Sequence, residues 1–144
     1  MICCQASPIG PVSQFDWVAI RGVSPLDDDV SREPARDPQD LERLLVSRER
    51  AGDVDGMAAL YEPHAVLDCG DGRLTRGREA IRAFYAGLEA VGRKFDFGDQ
   101  RPAIISGDLA LTSTRLPDGS VTAEVARRQG DGSWLWVIDQ FSIA

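Results

Sequence analysis

Asp139 and Glu124 are the residues of this chain whose setting most suggests chemistry. Asp139 sits inside the apolar run LWVIDQF, where an unpaired carboxylate is costly to bury. Glu124 lies in the alternating run Val121 to Gln129, in which either Thr122, Glu124 and Ala126 or Ala123 and Val125 form the buried set. Two carboxyls facing one apolar cavity can hold their pKa values apart, as acid–base catalysis requires. The plainer alternatives are a structural Asp139, bonded to a tyrosine or a backbone amide, and a solvated Glu124 on the outer face. Cys69 is a candidate nucleophile, but no histidine is evident beside it, and a small core residue is the simpler reading. His64, the single histidine, falls between a helix and a strand and reads as exposed. Tyr61 and Tyr85 read as core aromatics with a bonded hydroxyl.

Composition narrows the classes of function. The chain has 144 residues, a hydrophobic fraction of 43% and a net charge of −7, which suits one folded domain and argues against nucleic acid or an anionic membrane as the main partner. Arg127-Arg128 is too short for a nucleic-acid patch. Three cysteines, two of them adjacent, make no disulfide framework, and one histidine cannot build a His/Cys zinc site. No metal or cofactor is therefore expected. Neither a signal peptide nor a membrane-length apolar run is visible, so a cytoplasmic location is the expectation. The two Gly-Asp-Gly stretches are turns and not phosphate loops, since neither leads into a Gly-Lys-Ser/Thr helix.

The elements that must position these groups follow from apolar spacing. Residues 1–36 are interrupted by Pro8, Pro11, Pro25 and Pro34 and carry the acidic run Asp27 to Asp29. They read as an N-terminal arm, flexible or docking, with one short strand or strap at Gln14 to Val23. Asp37-Pro38 starts a helix whose inner face is Leu41, Leu44 and Leu45. Gly52 ends it. Asp53 caps a second helix bearing Val54, Met57, Ala58, Leu60 and Tyr61, and Pro63 stops it. His64 to Cys69 alternates as a strand before the turn at Gly70-Asp71-Gly72. A third helix follows Gly77, with Ile81, Phe84, Tyr85, Leu88 and Val91 inward, and Gly92 closes it. The remainder is β: a broken strand from Phe95 to Ile105, bulged near Gly98 and Pro102, then Leu109 to Arg115, Val121 to Gln129 and Trp134 to Ile143. Helices first and strands later give an α+β domain over residues 37–144.

This order of elements resembles the nuclear transport factor 2-like superfamily, which includes the ketosteroid isomerases and the SnoaL-like polyketide cyclases. Gly52-Asp53, Leu60-Tyr61, Ala65 to Asp68, Gly77 to Ile81 and Phe84-Tyr85 carry the resemblance, with Gly132-Ser133-Trp134, Val137-Ile138-Asp139 and Ser142 at the end. It implies a cone of three helices packed on a curved, mostly antiparallel sheet, with a pocket in the cone for a small hydrophobic ligand. It also places the isomerases' catalytic base at Cys69, their oxyanion tyrosine at Leu45 and their second donor at Glu124. With two of these three groups absent, steroid isomerisation is not expected.

The same resemblance places Val137, Asp139 and Phe141 on the concave face of the last strand, with Thr122, Glu124 and Ala126 beside them. Leu45, Tyr61, Cys69, Phe84 and Tyr85 complete the expected pocket. Trp134, Trp136 and Ile138 then fall on the convex face, an apolar patch suited to a sheet-to-sheet homodimer. The functions that fit are an acid–base isomerase, cyclase or hydratase using Asp139 and Glu124, a non-catalytic ligand-binding protein, and a dimeric assembly module with a vestigial pocket.

Overall fold

Hydrophobic spacing and a few specific caps set the helices. A computed structural model describes residues 32–143; the expected arm, with its strap at residues 14–23, lies outside the described residues except for its last few positions. Helix α1 (Asp40–Arg50) buries Leu41, Leu44, Leu45 and Val46. It begins after a turn in which Asp37 accepts from the Gln39 N–H, so the helix starts three residues beyond the expected cap. Helix α2 (Val54–Ala58) is capped by Asp53, whose carboxylate accepts the Gly56 N–H at 2.9 Å. Arg48 ties the two helices together by donating to the Gly56 carbonyl at 2.6 Å. Helix α3 (Arg78–Ala90) buries Ile81 and Tyr85. Its expected last inward residue, Val91, is exposed.

Among the described residues eight strands follow the chain order β1 (Tyr61–Asp68), β2 (Leu74–Arg76), β3 (Asp99–Gln100), β4 (Ile104–Ser106), β5 (Leu109–Thr112), β6 (Thr114–Arg115), β7 (Ala123–Arg128) and β8 (Trp134–Gln140). Six of them form one sheet in the order β2-β1-β8-β7-β5-β4, and β3 pairs with β6 separately. All pairs are antiparallel except β1 with β8. The α+β class and the mostly antiparallel sheet are as expected. The second helix is shorter than expected: it ends at Ala58, and Tyr61 opens β1 instead. Pro63 falls in the stretch of β1 where its register with β8 shifts, so the ladder loses no regular hydrogen bond there. The broken strand from Phe95 resolves into β3 and β4. At its start Gly98 lies on the backbone of β6: an added Cβ would sit 2.4 Å from the Arg115 carbonyl oxygen.

The core is formed where the helices meet the inner sheet face. Leu41, Leu44, Leu45, Met57, Ile81 and Tyr85 from the helices pack with Tyr61, Ala65, Leu67, Ala110, Ala126, Trp134 and Trp136 from the strands. Ala35, ahead of α1, joins them, and its carbonyl accepts the Trp134 N–H at 2.9 Å. No helix among the described residues is long and apolar enough to cross a membrane.

Candidate functional site

A bulge in the last strand decides which side chains share the cavity wall. Val125 pairs with Ile138, but the next residue of β7, Ala126, pairs with Trp136, so Val137 is the extra residue. In an unbroken strand Trp136 and Asp139 would face opposite ways. The bulge turns both inward. Trp134, Trp136 and Asp139 are each 3% exposed. This corrects the expected convex patch, because Trp134 and Trp136 lie in the core. Of the three residues assigned to that patch, only Ile138 is on the outside, 50% exposed. It also removes Val137 from the expected pocket: the residue is half-buried at the bulge and does not line the cavity.

Cross-strand pairing then assembles the polar groups. Asp139 sits opposite Glu124, and Glu124 sits opposite Thr112. The Tyr61 hydroxyl donates to Asp139 Oδ2 at 2.5 Å, and the Tyr85 hydroxyl lies 2.5 Å from that of Tyr61. Since Tyr61 spends its one hydrogen on Asp139, Tyr85 is the donor in the second contact. Both tyrosines are fully buried. The Thr112 hydroxyl donates to Glu124 Oε2 at 2.7 Å, and Thr114 donates to Glu42 Oε2. Glu42 comes from α1, one turn before Leu45, so helix and sheet each contribute carboxyls to one space.

Burial sets the protonation of these acids. It pushes Glu124 up to about 7, with the Thr122 and Thr112 hydroxyls opposing and the negative charge of Glu42 adding to the rise. Asp139 is raised well above its ordinary value by burial and by the charge of Glu124, against the hydrogen bond from Tyr61. Glu42 is raised by burial and lowered in part by Thr114. Burial and the neighbouring charge thus favour the neutral acid form of Asp139. Its Oδ2 accepts from Tyr61, which leaves Oδ1 to carry the proton. Glu124 is divided between its two forms, the condition in which a group both takes and gives protons effectively.

These groups line a cavity of about 580 Å³, within the usual range for a small-molecule site. Leu45, Val46, Phe95, Trp136 and Phe141 supply its apolar wall, and Arg93, Lys94, Asp96 and Asp118 belong to its polar lining. The wall at Phe95 is fixed from behind, because the buried Glu49 of α1 accepts the Phe95 N–H at 3.1 and 2.8 Å. Phe95 in turn packs edge-on against Phe141, with ring centres 5.5 Å apart.

Of the expected site residues, Asp139, Glu124, Leu45, Cys69 and Phe141 line this cavity. Tyr61 and Tyr85 stand behind Asp139, and Phe84 packs on the far side of Phe141 with ring centres 5.8 Å apart. Cys69 is half-buried, and burial raises its thiol pKa against a contact from Thr75 at 3.7 Å. His64 is exposed. A neutral thiol without a base is a poor nucleophile. Thr122, expected on this face, lines the cavity, whereas Glu42, Thr112 and Trp136 were not anticipated at the site. Glu42 could have been: with Leu45, Val46 and Glu49 it makes an i, i+3, i+4, i+7 stripe, so an acid falls on an apolar helical face. No signal marks the bulge that brings in Trp136.

The sequence profile of the SnoaL-like domain matches residues 41–144. The chain matches none of the curated proteins by sequence. Among solved structures it is similar to a candidate calcium/calmodulin-dependent protein kinase type II association domain from Thiobacillus denitrificans, at 17% identity and a TM-score of 0.63, covering 76% of this chain and 96% of that one. A candidate dehydratase of the NTF2-like family from Streptomyces avermitilis matches at 18% identity and a TM-score of 0.60, covering 79% and 95%. A protein of unknown function from Mycobacterium tuberculosis matches at 20% identity and a TM-score of 0.58, covering 71% and 70%. At these identities the likeness is one of fold, and the fold is that of the nuclear transport factor 2-like superfamily.

Proposed function

The chain belongs to the SnoaL-like domain family, and within it we propose an acid–base enzyme of isomerase, cyclase or hydratase type acting on a small hydrophobic metabolite. The observation that carries this reading is the facing pair on β7 and β8: Glu124, with a pKa of about 7, directly across from Asp139, itself raised well above its ordinary value, in one cavity. A pair held apart in this way can remove a proton at one atom with Glu124 and donate one at another with Asp139. Tyr61, with Tyr85 behind it, fixes the Asp139 carboxyl and leaves its second oxygen for the substrate. Dehydration, the activity in the name of the Streptomyces neighbour, is chemistry of this kind. Steroid isomerisation is not proposed, because Leu45 and Cys69 stand on the wall where that reaction's donor and base are expected.

The test is proton exchange. A panel of apolar ketones and β-hydroxy ketones is incubated with the chain in deuterium oxide, and exchange and dehydration are followed by mass spectrometry. Catalysis that disappears in Glu124→Gln and Asp139→Asn supports the reading. Catalysis unchanged in both variants, or none with any member of the panel, counts against it.

A second reading has its own observation. Ile104, Leu111, Val125, Ile138 and Val66 are successive cross-strand partners on the outer sheet face. Ile104, Leu111 and Ile138 are exposed. A continuous apolar row on an open sheet suits a homodimer packed sheet to sheet. Under this reading the dimer is an assembly or ligand-binding module with a vestigial pocket. The dimer itself is compatible with either reading.

A further inference from the structure

The stretch Gly77 to Ile81 carries part of the family resemblance, yet the proton chemistry gives it no work. Its place in the fold supplies some. Strand β2 covers β1 only from Val66 onward, and the register of β1 with β8 shifts between Tyr61 and Val66. The stretch of β1 ahead of Val66 thus has no strand on its β2 side, and its buried backbone groups need other partners. Gly77, at φ +86°, turns the chain from β2 into α3, and the start of that helix takes over. The Gly77 N–H donates to the Ala65 carbonyl at 2.8 Å. Arg78 donates to the Tyr61 carbonyl from both Nε, at 2.9 Å, and Nη2, at 2.5 Å. Among the described residues these are the bonds of its half-buried guanidinium, so the fork is spent on one backbone oxygen and not on a carboxylate.

The same helix holds the other end of Tyr61. Tyr85 lies two turns after Arg78 on one face of α3, and its hydroxyl is 2.5 Å from that of Tyr61. Trp136 packs against the ring between, with centres 5.1 Å apart. Tyr61 is fully buried, and its hydroxyl reaches Asp139 Oδ2 at 2.5 Å. A tyrosine ring is rigid, so a displacement of its backbone arrives at the hydroxyl nearly undiminished. A bond at the short end of the O–H···O range tolerates a displacement of about 0.5 Å at most.

We infer that Arg78 is a positioning residue for the acid pair: by clamping the Tyr61 carbonyl it sets the Tyr61 hydroxyl on Oδ2 of Asp139 and so leaves Oδ1 to face a substrate. Its bearing on catalysis rests on the acid–base reading of the cavity, whereas the clamp itself does not.

The chain has two tyrosines, which makes the clamp directly observable. Labelling tyrosine with carbon-13 at Cζ gives two NMR signals, assigned through Tyr85→Phe. In a mixture of water and deuterium oxide, a hydroxyl that exchanges slowly splits its Cζ signal, and the exchange rate is read from that splitting. The Tyr61 signal should be split in the parent. Arg78→Met keeps the aliphatic stem and removes both donors. It should speed exchange of the Tyr61 hydroxyl at least about tenfold, as loss of one charge-assisted bond allows. Asp139→Asn should displace the Tyr61 signal in the parent and displace it less when combined with Arg78→Met. Arg48→Met loses an arginine-to-carbonyl bond of the same kind at Gly56 and should leave Tyr61 exchange unchanged. Arg78→Lys keeps the charge without the fork and should fall between parent and Arg78→Met; if circular dichroism shows Arg78→Met unfolded, this variant decides. An unsplit Tyr61 signal in the parent overturns the inference. So does unchanged exchange in the folded Arg78 variants, an undiminished displacement by Asp139→Asn, or equal acceleration in Arg48→Met. Any ketone exchange found with the parent should fall about ten- to a hundredfold in kcat in Arg78→Met, with KM little changed. If the hydroxyl is loosened and that turnover is unaltered, the clamp stands and the part given to Asp139 falls. Absence of ketone exchange in the parent judges the acid–base reading alone.

Discussion

Two neighbouring rows of the same sheet invert the usual rule of burial. The inner row runs Leu67, Asp139, Glu124 and Thr112 across β1, β8, β7 and β5, and all four are buried. The outer row, one residue along each strand, runs Val66, Ile138, Val125 and Leu111 and continues to Ile104 on β4, which is 68% exposed. Carboxyls thus lie in the interior, and branched aliphatic residues face solvent. Folding alone favours neither choice, since burying acids costs desolvation and exposing isoleucine forfeits apolar burial. On the proposed reading each face is arranged for something it meets: a ligand or reacting group on the inside, a second surface on the outside.

The largest effect expected on the inner row is on turnover. Once a reaction is identified, Glu124→Gln or Asp139→Asn should lower its rate by about two to four orders of magnitude. Asp139→Asn should fold at least as stably as the parent. A stability loss of about 1 to 3 kcal/mol, as for a charged hydrogen bond replaced by a weaker one, with ligand binding unchanged, would make Asp139 structural. On the outer row the corresponding experiment is Ile138→Lys with Leu111→Lys. If the row is the centre of a dimer, each charge costs about 2 kcal/mol or more, and light scattering at micromolar concentration should change from dimer to monomer while the inner cavity still binds. A parent chain that is already monomeric at that concentration would remove the dimer.

A smaller effect comes from pH. Glu124 is raised by burial from 4.5 to about 7, so the folded chain holds this proton more firmly than the unfolded one. The sign follows: stability falls as pH rises through this interval and is lowest above it, by about 3 kcal/mol for a shift of this size. Asp139, raised in the same direction, adds to the decline. Glu124→Gln should flatten the slope between about pH 5 and 7 and melt higher than the parent at pH 8. Urea denaturation across that range measures it. The smallest effect belongs to Tyr85→Phe, which removes the outer donor of the Tyr85–Tyr61–Asp139 chain. Loss of one hydrogen bond there costs about 1 kcal/mol, and Asp139, with a weaker donor in Tyr61, should become harder to ionise.

Much of the frame was legible because local signals and global packing agree. The Asp53 cap, the Leu41, Leu44 and Leu45 face and the Ile81 and Tyr85 face each mean in the structure what their spacing means in the sequence. Asp139 and Glu124 were legible as cavity residues because a carboxyl in an apolar run is conspicuous. The failures come from places where the backbone changes period without announcing it. Trp134 to Ile138 contains no glycine, proline or polar break, so the extra residue at Val137 is invisible and a strict alternation puts both tryptophans on the wrong face. Tyr61 fits the helical stripe of α2 as well as the first position of β1, and only tertiary pairing with Trp136 decides between them. Glu42 was hidden by treating its helix as a row of leucines.

The inner row as a working surface can be tested most directly by titrating its two acids. Carbon-13 NMR of the side-chain carboxyls, assigned through Glu124→Gln and Asp139→Asn, follows both groups in the folded chain without any substrate. The expected result is Glu124 titrating near pH 7 and Asp139 still protonated where ordinary aspartates have ionised, with the Asp139 curve displaced downward in Glu124→Gln as a repelling neighbour is removed. Both acids titrating in the ordinary range of about 3 to 5, each unaffected by loss of the other, would contradict it.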